Sequence, residues 1–111
     1  MSKIKPKKWT ELYSVGTVEG NEESRFFKSL ARHPKYTWRS VAALAKESGL
    51  SIERVNKIIS KYSKINVIFQ NPKNEDHWGY WERVPHMLPD QHVSICEADK
   101  MKRVERFINK D

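Results

Sequence analysis

The amino-acid sequence predicts a mainly α domain with a small antiparallel β element, an α+β fold, and three observations carry that expectation. Apolar residues recur at the 3.6-residue spacing of a helix in three successive blocks between residues 21 and 64. Gly49 separates the last two blocks at the point where a turn is needed. Beyond them, short runs at 67–70 and 77–84 read as strands flanking a polar stretch, 71–76, that suits a hairpin.

In chain order, residues 1–8 carry Lys3, Lys5, Lys7 and Lys8 and read either as a solvated tail or as a basic arm able to track phosphates. Residues 9–20 suggest one helical turn after Thr10 and then an extended segment packed on the domain. Asn21 is the expected N-cap of the first main helix, with Glu22 and Glu23 in its first turn, where the helix dipole favours carboxylates. Phe26, Phe27, Leu30 and Ala31 give it a buried stripe, and Pro34 stops it. Residues 35–39 read as briefly extended with Trp38 packed inward, and Thr37 stands where it could cap the next helix beside a phosphate.

The second helix is expected over 41–48, with Val41, Leu44 and Ala45 inward and the small Ala42 and Ala43 permitting close approach. Gly49 ends it because a residue without Cβ takes the left-handed conformation at little cost. Ser51 then caps a third helix over 51–64 by accepting from the backbone of Arg54 or its neighbour. Advancing about 100° per residue places Ile52, Val55, Ile58, Ile59 and Tyr62 on one side of it. Glu53, Asn56, Lys57, Ser60, Lys61 and Lys64 fall on the other.

Asn66 is the expected left-handed stop, after which Val67 and Phe69 alternate inward. Pro72 fits the hairpin turn, and Gly79 marks a bulge or a close backbone approach. Trp78 and Tyr80 share one strand face while His77, Gly79, Trp81 and Arg83 share the other, so an aromatic must meet solvent or a later segment. Residues 85–89 read as a linker. Ser94 and Glu97 form a capping box, and Met101, Val104, Phe107 and Ile108 a stripe, for a C-terminal helix that covers the domain's own core or pairs with a second copy.

Ala45, Gly49, Leu50, Val55 and Ile58 fit the spacing of a helix-turn-helix, and with the hairpin that follows, residues 21–84 resemble a winged helix-turn-helix domain. The resemblance implies a three-helix core, a wing of two or three strands and a C-terminal helix. Three regions follow: a basic N-terminal arm and packed extension at 1–20, the winged helix-turn-helix at 21–84, and a linker and C-terminal helix at 85–111.

Length and charge agree with this plan. A chain of 111 residues suits one domain, with no apolar run of membrane-spanning length and no apolar stretch behind its charged start, so a soluble cytoplasmic protein is expected. Cys96 is the single cysteine, which excludes an internal disulfide and reads as a small half-buried residue. The net charge of +7 is concentrated at 1–20 (+2), 21–50 (+3) and 51–64 (+3), which favours a polyanionic partner.

Sequence-specific binding of double-stranded DNA, by a small transcriptional regulator, is therefore expected. Asn56 can pair bidentately with adenine, Ser60 can reach either kind of base edge, and Lys57 can meet guanine or phosphate. Arg39, Arg54, Lys61 and Lys64 are assigned to phosphates, and Glu53 could accept from cytosine. Ser51 at the helix start and Lys73 and Asn74 at the wing tip complete the set, although Glu75 and Asp76 make that tip net negative. A homodimer through the C-terminal helix would place two such helices on half-sites about one turn apart. The alternative is a protein-interaction module that uses the aromatic wing at Trp78, Tyr80 and Trp81. His86, His92 and Cys96 do not make a zinc pattern, and neither a phosphate loop nor an activated nucleophile is evident, so no enzyme, metal or cofactor is expected.

Overall fold

A computed structural model describes residues 3–90, in which three α-helices and three strands follow the order α1 (Val18–Ala31), β1 (Arg39–Ser40), α2 (Val41–Ser48), α3 (Ile52–Ser63), β2 (Ile68–Asn71) and β3 (Asn74–Tyr80). The sheet is antiparallel in the order β1-β3-β2, so the last strand made is the central one. The α+β expectation holds for these residues. The expected C-terminal helix, and Cys96 and His92, fall outside them.

The cap of α1 lies four residues before the expected Asn21. Thr17 is the cap, its hydroxyl accepting from Gly20 N–H at 2.9 Å, and Asn21 lies within the first turn. Gly20 makes the early start possible, because a Cβ there would lie 1.7 Å from the Ser14 carbonyl oxygen. Phe26, Phe27 and Leu30 are fully buried as the stripe requires.

α2 takes Ser40, not Thr37, as its cap, the hydroxyl accepting from Ala43 N–H at 3.1 Å. Gly49 closes it at φ 74°, donating to Ala45 O, and Ser51 caps α3 by accepting from Arg54 N–H at 3.0 Å. Val55, Ile58, Ile59 and Tyr62 are buried, but Ile52 is 53 % exposed. It lies at the margin of the stripe in the first turn. Asn66 turns the chain at φ 62°, with Val67 N–H reaching back to Tyr62 O at 3.1 Å.

The hairpin is tighter than expected. Asn71 Oδ1 accepts from Lys73 N–H and Asn74 Oδ1 from Asp76 N–H, leaving Pro72 and Lys73 as the turn. Glu75 and Asp76 therefore belong to β3, which ends at Tyr80 because Arg83 N–H folds back onto Tyr80 O. Gly79 is a close approach, since a Cβ there would meet the Trp38 ring at 2.9 Å.

The core gathers around Phe27, which stacks with Trp9 at 5.4 Å and meets the rings of Tyr62 and Tyr80 edge-on at 4.9 and 5.9 Å. Trp9 lies in a short 3₁₀ turn, Trp9–Glu11, and its amide donates to the Tyr80 hydroxyl at 3.0 Å. The described part of the basic arm is docked and the linker is structural. Ile4 N–H bonds Pro89 O at 2.9 Å, Lys3 pairs with Asp90 at 3.3 Å, and Leu88 is buried in the core.

Candidate functional site

The outward side of α3 is an open strip. Glu53, Asn56, Lys57, Ser60 and Lys64 are all exposed, and Lys57 and Lys64 have no ion-pair partner among the described residues. A helix with Val55, Ile58, Ile59 and Tyr62 anchored in the core must turn the intervening residues outward. The strip offers a side-chain amide, a hydroxyl and two ammonium groups on one side of α3. Such donors suit acceptor edges and anionic groups.

The three other cations assigned to phosphates are engaged within the domain. Arg39 is 5 % exposed, and its Nη1 and Nη2 donate to Glu47 at 2.9 and 2.7 Å. Ser29 Oγ donates to the same carboxylate at 2.9 Å. The hydrogen bonds from Arg39 hold the Glu47 carboxyl below the usual carboxylate range against its partial burial. Arg39 is thus a structural residue, and a duplex could reach it only by opening this clamp.

Arg54 and Lys61 lie seven residues apart on the flank of α3 that faces α1. Arg54 donates to Glu22 and sits 3.6 Å from Glu19, and Lys61 donates to Glu23 at 2.7 Å and also sits 3.6 Å from Glu19. The hydrogen bonds that Arg54 donates to Glu22 and Lys61 donates to Glu23 raise both cations above their ordinary pKa values. Glu23 is 1 % exposed and accepts a second bond from the Tyr62 hydroxyl at 2.6 Å. A cleft of about 300 Å³ runs between the helices, with Lys57, Ser60 and Lys64 on its lining beside Glu19, Arg54 and Lys61.

These acidic partners were the residues missed by sequence reasoning. Glu23 had a signal, because it stands three and four positions before Phe26 and Phe27 and so shares their buried stripe. A carboxylate on an apolar face requires a partner. Glu19, Glu22 and Glu47 carry no comparable mark.

Ser51 is exposed, but its hydroxyl serves the α3 cap. Lys73 and Asn74 are exposed on a different element, the hairpin tip, with Glu75 and Asp76 next to them. The aromatic residues at 78–81 are mostly interior. Tyr80 is buried, Trp78 half-buried, and Trp81 only 7 % exposed because residues of the arm cover it, its indole N–H donating to Lys7 O at 3.3 Å. That burial removes Tyr80 and Trp81 as surface anchors for a protein partner.

No helix among the described residues is long and apolar enough to cross a membrane. Comparison with protein-family models, with curated proteins and with solved structures finds no match for this chain.

Proposed function

We propose that the domain is a winged helix that binds double-stranded DNA with α3 in the major groove, as a small sequence-specific transcriptional regulator. The observation that carries this reading is the exposed strip Asn56, Lys57, Ser60 and Lys64 on a helix whose opposite side is fixed in the core. The element order, with two adjoining helices followed by an antiparallel hairpin, supports it.

In this reading Asn56 reads adenine, Ser60 contacts a neighbouring base edge, Lys57 meets guanine or phosphate, and Lys64 meets phosphate. Arg39 leaves the contact set because it is buried against Glu47. Selection from a random duplex library, followed by binding titrations over a range of salt, tests the proposal. An enriched motif is expected, with Asn56→Ala relaxing preference at one position by about 1–3 kcal/mol and Lys64→Ala weakening all sequences alike. Equal losses on selected and random duplexes for both variants would refute the assigned roles, and no enrichment would refute sequence-specific binding.

A further inference from the structure

The side of α3 facing α1 holds a row of carboxylates opposed to a row of cations. Glu19, Glu22 and Glu23, at i, i+3 and i+4, share one side of α1, and Arg54 and Lys61 stand two turns apart on α3. Glu19 lies between the two cations at 3.6 Å from each. The three acids differ in how firmly they are held. Glu23 is sealed in the core, whereas the side chains of Glu22 and Glu19 are 27 % and 58 % exposed.

We infer that Glu19 and Glu22 act as a built-in substitute for phosphate, occupying Arg54 so that it does not contribute to DNA affinity and leaving the exposed strip of α3 to discriminate between sequences. The inference rests on the DNA-binding reading. A phosphate approaching the α1 flank must compete with two carboxylates already placed at the guanidinium, so nonspecific attraction on that side is suppressed. Lys61 is withheld more firmly, because its pairing with Glu23 at 2.7 Å is anchored by a buried group. Removing the charges of Glu19 and Glu22 therefore releases one cation, Arg54.

The test is the salt dependence of binding to a random-sequence duplex by the whole chain. For Glu19→Gln/Glu22→Gln, the slope of log affinity against log salt should steepen by about 1, with about tenfold tighter binding near 0.1 M salt. Adding Arg54→Ala to that pair should return the slope to that of the starting protein. An unchanged slope in the double variant overturns the inference, and so does a gain that survives Arg54→Ala, which would reflect net charge alone. Should the double variant fail to fold by circular dichroism, Glu19→Gln alone, at the more exposed position, must steepen the slope by a smaller step, and no change there is equally contrary. Measurable binding by the starting protein with no change in slope defeats only this inference. Absence of duplex binding by both proteins at low salt defeats the DNA reading along with it.

Discussion

Arg39 on β1 and Glu47 in the last turn of α2 are joined by two hydrogen bonds of 2.9 and 2.7 Å, which tie the short strand to the far end of the helix that follows it. Glu47→Gln leaves the buried guanidinium without its counter-charge and is expected to lower stability by about 1–3 kcal/mol, read from the urea midpoint. The folded Glu47 carboxyl titrates below its unfolded value, so its contribution is complete above about pH 4.5 and disappears as pH falls through the folded pKa. The variant should show a shallower loss of stability over that acid window, and an unchanged acid profile would contradict the assignment.

Gly20→Ala places a methyl group against a backbone oxygen that has no easy escape, 1.7 Å away. The expected loss is about 3 kcal/mol or more, with α1 starting later or the Ser14 turn displaced. Gly16 makes an informative comparison, because it has φ 87° but nothing within 4 Å. Gly16→Ala should cost only the left-handed penalty of about 1–2 kcal/mol. Equal thermal midpoints for the two variants would count against the Gly20 packing argument.

Burial pushes the Tyr80 phenol up to about 12, only partly offset by the Trp9 amide that donates to it. The folded value exceeds the unfolded value of 10.0, so this contribution is present below about pH 10 and declines as pH rises towards about 12. Urea titrations through that alkaline window should show a smaller decline for Tyr80→Phe than for the starting protein. Parallel declines would assign the alkaline sensitivity to other groups. Tyr62 is also raised, first by burial and then by its bond to Glu23.

Lys61→Met should destabilise the domain whereas Lys57→Met should not. The first change strips the buried Glu23 of its cation and leaves the Tyr62 hydroxyl as its hydrogen-bond partner, for a loss of about 1–3 kcal/mol once the partial exposure of Lys61 is allowed for. The second removes an exposed cation with no ion-pair partner among the described residues and should stay within about 0.5 kcal/mol. Thermal unfolding of the two variants distinguishes them, and similar midpoints would reject the distinction.

What was legible in the sequence is what a single segment determines. Gly49, Ser51 and Asn66 mark their turns by backbone chemistry alone, and the α3 stripe follows from helical period, so α2 and α3 fall where expected. Lys61 was read correctly as lying off the stripe and Arg54 was assigned to phosphate, but period cannot say that α1 brings Glu19, Glu22 and Glu23 to meet them. Arg39 was misread for the same reason, since its partner lies on another element. Trp81 needed knowledge that the arm folds back over it, and the start of α1 depended on a carbonyl passing where Gly20 has no side chain.

The central place of β3 has a consequence for biosynthesis. As the chain emerges from a ribosome, β1 and β2 are delivered first, yet neither can complete its ladder until residues 74–80 arrive between them. A nascent chain halted at the hairpin has Val67 and Ile68 without their final cover, and such a half-made domain is a natural client for chaperones that hold apolar segments.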